Sequence, residues 1–540
     1  MGTRSLARAI VEWVEPNIRE FRASRQMTIW ALAVLTGVTV ASAAIAFREA
    51  IGAVQWLWLG TRSEDMLGAA RAAPWWLVLA VPVLGGLVVG LGLQFLTTNK
   101  RTGGVPDVIE ARVSSREVLP LRDGIVSAGL AAASLGAGAS AGREGPLVHL
   151  GATLSDAIVR RFDLPGAARR TLLGCGVAAA VSASFNAPIA GVLFAHEVVL
   201  GHYAQRAFVP IVISSTLAAL GSRLWFGEAA AFDAPDFAIA SYLEFPAFAL
   251  LGITAALVAI LFQFVLFSGE VVARRTRLPV WAQPMVGGSV VGTIAIAYPE
   301  VLGVGYSTVD DALRDGIALD VLVVLIGLKM VATAASLGFR FGGGIFSPSL
   351  YLGAVTGAAF GQIATAAAPT LSSDVGLYAL LGMGAVAGAV LGAPISTALI
   401  VFELTGGYAL SIALLLSVAI AHGINHAIHD HSYFQWQLEQ RGLFIQSGPH
   451  RTIGRTVRVM DFMHLADDGT EERRDPEAGD ALKPSDTLER ALRAFDSSGE
   501  PVLPVIDPSD PARIVGRCSQ VRALDRFNKA LIAASVEEHR

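Results

Sequence analysis

A chain that carries the same Gly- and Pro-broken apolar segment in both of its halves can fold in few ways. The run SLGAGASAGREGPLVHLG (Ser134–Gly151) returns 202 residues later as SLGFRFGGGIFSPSLYLG (Ser336–Gly353). Ser134, Leu135, Gly136, Gly142, Pro146, Leu150 and Gly151 are matched by Ser336, Leu337, Gly338, Gly344, Pro348, Leu352 and Gly353. A second block, FNAPIAGVLFAHE (Phe185–Glu197), is matched at an offset of 206 by LGAPISTALIVFE (Leu391–Glu403), with Ala-Pro-Ile and the closing Glu kept. Two related halves with broken hydrophobic segments at corresponding places are the signature of a repeat-built membrane transporter or channel. Its substrate site is then expected at the broken helices, near the bilayer midplane.

Composition agrees with a bilayer as solvent. Hydrophobic residues make up 53% of the 540, charged residues only 16%, and the mean hydropathy is +0.55, against roughly 25% charge in an ordinary soluble chain. Uncharged stretches long enough to cross, about 20 residues, are Gln26–Phe47, Ala72–Asn99, Phe245–Gly269, Leu278–Pro299, Phe341–Ser373 and Val375–Phe402. The last two are so long and Gly-rich that each is expected to form a pair of short or re-entrant helices packed inside the protein. Arg4, Arg8, Glu12, Glu15, Arg19 and Glu20 make residues 1–25 an expected polar amphipathic helix rather than a cleavable signal peptide. Basic clusters at Arg19–Arg25, Arg160–Arg170 and Arg274–Arg277 predict cytoplasmic loops and cytoplasmic termini in the inner (cell) membrane. A net charge of −4 does not point to nucleic acid. Cys175 and Cys518 are far apart and of different surroundings, so neither a structural disulfide nor a thiolate metal site is expected.

Composition changes near Gly442, dividing a membrane part, 1–442, from a tail, 443–540. Repeats at approximately 104–225 and 320–425 build the first. The tail opens with acidic sequence (Asp467–Asp475) and then reads as a helix at Ser485–Phe495, a strand VLPVID (Val502–Asp507), a second strand around Arg513–Ser519 and a helix at Gln520–Ala534. This α/β unit, about 480–536, resembles one CBS motif, and Arg451–Asp480 holds only a degenerate first unit. Where the CBS pattern holds an adenine nucleotide by Thr and Asp, this chain has Ser519 and Arg522. A dimer-packing role is therefore expected in place of nucleotide binding.

GREGP (Gly142–Pro146), GGIFSP (Gly343–Pro348) and FNAPIAGVLF (Phe185–Phe194), in register across the two repeats, resemble the CLC family of chloride channels and chloride/proton exchangers over roughly Arg25–Gly442. The resemblance implies an all-α polytopic membrane protein with an inverted-repeat fold of about eighteen helices, in a homodimer with one pore per subunit. It implies chloride or another small monovalent anion as the transported ion, with protons as the second ion in exchangers. The physical logic is legible in the residues. An anion leaving water needs donors, yet a full cationic charge would hold it too tightly. Helix N-termini supply free N–H groups and a positive dipole end; glycines allow close approach, and Pro inside a helix start costs no hydrogen bond. GREGP, GGIFSP and GGVPD (Gly103–Asp107) all have that form. The expected anion contacts are Gly103, Gly104, Val105, Arg143, Gly145, Ile345 and Phe346.

Glu144 is the expected gate and proton carrier, an ionisable residue at a helix start among glycines. The resemblance also exposes three departures. The first family motif usually reads Gly-Ser-Gly-Ile-Pro; here Gly103 stands in place of Ser. The pore-lining Tyr falls on Phe434, with Tyr433 one position early. Weak, poorly selective halide binding is expected from both changes, and nitrate or bicarbonate become alternative anions. Exchangers carry two successive Glu where this chain reads Glu197-Val198, so the internal proton path would fall to His196 or Glu197. Passive or weakly proton-coupled flux is the leading reading, and proton-coupled exchange the alternative. A fluoride-selective branch would carry a Met that the first motif lacks.

Other groups are weaker signals. His422, His426 and His429 share a helix face, but only Asp430 accompanies them as a potential ligand. Glu403 is expected to stabilise a helix; Lys329 and Arg340 either set a local field or face water; Trp56, Trp58, Trp75 and Trp76 are expected interfacial anchors. HEVVLGH (His196–His202) prompts a distant membrane-metalloprotease reading, but His-Glu-x-x-His is broken at Leu200. No metal and no cofactor is called for.

Overall fold

The computed structural model describes residues 14–15, 25–62, 66–113, 119–162, 164–227, 232, 237–405, 410–443, 453–454, 457–465, 473, 475 and 480–539. Most of the N-terminal segment 1–25 and much of 444–480, including most of the acidic stretch, lie outside them. Val113 aside, the described residues form two compact units, one through Phe434 and one from Gln435.

The described part of the first unit is helical. Its helices are α1 (Gln26–Leu59), α2 (Leu67–Ala72), α3 (Trp75–Leu96), α4 (Val105–Val113), α5 (Leu121–Gly136), α6 (Glu144–Val159), α7 (Gly166–Phe185), α8 (Pro188–Phe194), α9 (Gln205–Phe226), α10 (Phe245–Arg275), α11 (Gln283–Ala297), α12 (Tyr306–Leu313), α13 (Leu319–Gly338), α14 (Phe346–Ala367), α15 (Val375–Leu391), α16 (Pro394–Thr405) and α17 (Ser411–His429). A further helix, α18 (Tyr433–Gln440), crosses the boundary between the units. Among the described residues, seven helical spans are long and apolar enough to cross a membrane: α1, α3, α9, α10, α13, α14 and the stretch opened by α17. With 34 residues, α1 is about 51 Å long at 1.5 Å per residue, so in a hydrocarbon layer of about 30 Å it must tilt or protrude.

Three expectations change here. Phe341–Ser373 does not break into a pair: α14 runs unbroken, because Gly353, Gly357 and Gly361 lie four residues apart along one face and seat α15 against the helix. Leu278–Pro299 yields only the 15-residue α11, too short for a straight crossing. Spans α9 and α13 escape a charge-free search because they carry Arg206 and Arg223, and Asp320 and Lys329, whereas α17, which has no Asp, Glu, Lys or Arg, is a span that was not expected. Val375–Phe402 does split, at Gly392, whose φ of +67° ends α15.

The sequence repeat is a structural two-fold. Gly142 N–H donates to Gly344 O (2.7 Å) and Gly344 N–H to Gly142 O (2.8 Å), an antiparallel bridge between a residue and its own repeat mate. Ser134 Oγ accepts from Gly342 N (2.9 Å), and its mate Ser336 Oγ accepts from Ser140 N (3.0 Å). The two halves therefore run in opposite senses through this point. Helix crossings repeat as well. A methyl on Gly151 would lie 2.5 Å from Gly176 O where α6 meets α7, and one on its mate Gly353 would lie 2.4 Å from Gly382 O where α14 meets α15. Small residues let these backbones touch, which is how helices associate where water supplies no hydrophobic drive.

The second unit has its own core, built by Val459, Leu482, Leu488, Ala491, Phe495, Leu503, Val505, Cys518 and Ala523. Strands β1 (His464–Leu465), β2 (Val502–Ile506) and β3 (Ile514–Ser519) pair in the antiparallel order β1-β3-β2. Helix α19 (Leu488–Ser498) starts from Thr487, whose hydroxyl accepts from Arg490 N, and α20 (Gln520–His539) follows β3 directly. The short β1, within the stretch read as degenerate, was not expected.

Candidate functional site at converging helix starts

Bridging Gly142 to Gly344 brings the N-termini of α6 and α14 together, since each helix begins two residues after its bridging glycine. Two positive dipole ends thus point into one small region. Glu144, the first residue of α6, is 1% exposed there. Its Oε1 accepts from Ser347 Oγ at 2.6 Å and from Tyr306 OH at 3.4 Å. Its Oε2 has no hydrogen-bond partner among the described residues. Arg143 sits alongside: its guanidinium donates to Ser184 O (2.9 Å), lies 4.0 Å from the Glu144 carboxylate and covers the Tyr306 ring at 5.2 Å. Gly145 packs on Gly344, where a methyl would lie 3.2 Å from the Gly344 Cα. Ile345 and Phe346 are buried, and the Phe346 ring meets Phe185 at 4.9 Å and Phe194 at 5.8 Å between centroids. The structure thus brings Arg143, Glu144, Gly145, Ile345 and Phe346 into one cluster.

Tyr306 and Ser347 were missed by sequence reasoning. Ser347 lies inside GGIFSP and was legible as a candidate; Tyr306 is 162 residues from Glu144 and carries no local signal. It is delivered by a turn ending at Gly305 (φ +87°). Lys329 secures that turn, donating to Val301 O and Gly303 O at 3.0 Å each. It is fully buried over the Tyr351 ring, which corrects the alternative that it faces water. Arg340 donates to Gln283 and to Lys100 O.

The GGVPD loop departs from the expected form. Gly103 N–H donates to Ser127 Oγ (2.6 Å) and Gly104 N–H to Asp107 Oδ2 (2.8 Å), while Asp107 is gripped by Arg101. Both donors are spent within the protein, Gly103 N–H on Ser127 of α5 and Gly104 N–H on Asp107, which from the first turn of α4 caps its own helix start. Val105 is buried as the first residue of α4. Against Gly103 lies the ring of His149, from α6. Tyr433 and Phe434 open α18, both buried and edge to face at 6.4 Å.

On the other side of the repeat, two helix starts are closed by carboxylates. Glu197 accepts from Ile395 N (3.1 Å) and Ser396 N (2.8 Å), and also from Ser396 Oγ, at the start of α16. Its repeat mate Glu403 accepts from Ile189 N (3.0 Å) and Ala190 N (2.7 Å), at the start of α8. Glu197 therefore has the structural task expected only of Glu403. Val198 is half-buried in a π-helical turn, Ala195–Leu200, and His196 in that turn pairs through Nδ1 with His202 O at 2.9 Å. Trp58 is half-buried and its indole donates to Gly136 O, whereas Trp56, Trp75 and Trp76 are exposed. Among the described residues no group of three or more His, Cys, Asp or Glu is placed to hold a metal. In the tail, Ser519 Oγ accepts from Arg522 N at 3.4 Å, so that hydroxyl caps α20.

The sequence pattern of the family described as voltage gated chloride channel matches residues 85–426. A chloride channel protein described as ClcB-like, from Ralstonia nicotianae, is 35% identical over 401 residues, 74% of this chain and 93% of that protein. The fold is similar to that of a slow cyanobacterial Cl−/H+ antiporter, with TM-score 0.68 and 21% identity over 76% of this chain and 97% of that one. It is also similar to a eukaryotic CLC transporter, with TM-score 0.64 and 21% identity over 94% of this chain and 90% of that one. A repeat paired on its own two-fold around a buried glutamate, and the match over both halves of that repeat, lead to one assignment: the chain belongs to the voltage-gated chloride channel (CLC) family.

Proposed function

We infer that this multi-pass membrane protein carries chloride or another small monovalent anion across the bilayer, with Glu144 as gate. One observation carries the reading. A buried carboxylate sits where the positive ends of α6 and α14 meet, hydrogen-bonded by Ser347 and Tyr306, 4.0 Å from the Arg143 guanidinium, and with one oxygen lacking a hydrogen-bond partner among the described residues. Such a site suits a small anion, and the side chain occupies it as a tethered surrogate. Protonation removes the negative charge and frees the site. Arg143, Gly145, Ile345 and Phe346 form its walls; Gly103, Gly104, Val105, Tyr433 and Phe434 belong to the inner part of the route. Family members move ions and do not catalyse bond cleavage, so the metalloprotease alternative falls.

Flux is passive or weakly proton-coupled on this reading. Val198 replaces the second internal Glu, and the Glu197 carboxylate is engaged with three donors at α16. Proton-coupled exchange is the second reading, favoured by the likeness to a Cl−/H+ antiporter. The functional unit is a homodimer in the inner membrane with cytoplasmic termini. Its tail, residues 443–540, carries one CBS-like unit that packs against its counterpart. Purified protein in liposomes, with chloride and proton movement recorded together across a chloride gradient, tests the reading. Chloride flux without stoichiometric proton movement supports the first form, a fixed proton-to-chloride ratio the second, and no anion flux refutes both.

A further inference from the structure

We propose that the imidazole of His149 is a ligand of the permeating anion, standing where a side chain at position 103 would otherwise lie. The inference rests on the anion-transport reading of this same region.

The geometry is specific. A β-carbon built on Gly103 would fall 2.4 Å from both Cε1 and Nε2 of His149 and 2.5 Å from Nδ1. Three ring atoms nearly equidistant from one point mean that the ring lies flat on the glycine and fills the side-chain space of that position. His149 is 7% exposed, and its Nδ1 has no hydrogen-bond partner among the described residues. A buried polar nitrogen without a partner is costly unless something satisfies it. The loop's own donors are not available for this, because Gly103 and Gly104 N–H already bond Ser127 and Asp107.

A neutral imidazole has one N–H donor and one acceptor nitrogen. Its donor is the chemistry an anion needs, and it comes without a permanent charge. The acid closest to the loop, Asp107, is paired with Arg101 at 2.5–3.0 Å, so its negative charge is offset by its own cation. His149 rides on α6, the helix that starts with Glu144, so gate and ligand share one rigid element. The absence of a hydroxyl at 103 and the presence of this ring are then one feature: the glycine makes room for the imidazole.

The test is calorimetric titration of chloride and bromide into full-length protein in detergent, with monodispersity checked for each variant. Wild-type protein is expected to bind. His149→Ala is expected to weaken binding about two- to tenfold, the worth of one hydrogen bond, and His149→Gln, which keeps an N–H donor, to stay within about twofold of wild type. Gly103→Ser alone is expected to disturb the site, since its β-carbon meets the ring, but Gly103→Ser combined with His149→Ala is expected to recover most of the lost affinity. A ring that only fills space would show none of this recovery. Wild-type binding with an unchanged affinity in monodisperse His149→Ala, or a double variant as weak as His149→Ala, overturns the proposal alone. No anion binding by wild-type protein overturns the transport reading and the proposal with it.

Discussion

Replacing Glu403 with Ala tests whether the crossed carboxylates hold the two halves of the repeat together. Glu403 accepts from the N–H groups of Ile189 and Ala190 at 3.0 and 2.7 Å, at the start of a helix from the other half. Truncation leaves both donors without their acceptor. An unsatisfied buried donor costs about 1–3 kcal/mol, and loss of a helix cap about 0.5–2 kcal/mol. Part of this is recovered by water reaching the half-buried site, so a net loss of about 2–3 kcal/mol is expected. Glu403→Gln keeps one acceptor oxygen and should lose about half as much. Glu197→Ala should lose more than Glu403→Ala, because Ser396 Oγ also loses its partner. The assay is the fraction of full-length protein that stays monodisperse after heating, followed by size-exclusion chromatography, with chloride flux measured on the unheated samples. Heat resistance of Glu403→Ala equal to wild type would refute the capping argument. Intact flux in Glu197→Gln is expected as well, and its loss would return Glu197 to the ion route.

Glu144→Gln should abolish most of the pH dependence of anion flux while leaving folding intact; a variant with the wild-type pH response sinks the gate assignment. Bromide soaked into crystals should give anomalous density within hydrogen-bonding distance of the Ile345 or Phe346 amides, and density elsewhere alone contradicts the convergence of α6 and α14. Gly382→Leu should prevent assembly, since even a β-carbon there lies 2.4 Å from Gly353 O; normal yield of monodisperse protein argues against that crossing. Burial pushes the Cys518 thiol up to about 11, from about 8.5 in an unfolded chain. The folded tail then favours the protonated thiol, a contribution fully present below about pH 8.5 and lost as pH rises through about 11. In a Cys175→Ala background, thiol labelling at pH 9 should be at least about tenfold slower than in denatured protein, and equal rates would overturn the assignment.

The repeat, its two-fold consequence and the gate residue are written in local sequence. Gly142 and Gly344, Gly151 and Gly353, Ser134 and Ser336 recur in register, because each half must build the same helix start and the same close crossing. Glu144 stands out for the same reason: an ionisable residue beside glycine and proline in an apolar chain has few bland explanations. The tail helices and the β2–β3 pair were legible too, since their apolar residues recur at helix and strand periods.

What the chain does not announce is which distant residues meet. Nothing near Glu144 names Tyr306, and nothing in GGVPD tells that its N–H groups turn to Ser127 and Asp107 or that His149 covers Gly103. Glu197 and Glu403 look like repeat mates on one-dimensional inspection, yet each serves the other's helix start across the molecule. The Gly-rich stretch of α14 reads as a break and is a groove. Period and composition report how a segment meets its solvent, whereas partner choice depends on the crossing of helices that are far apart in sequence. Only the packed fold, in which each buried donor and charge must find a partner, settles those pairings.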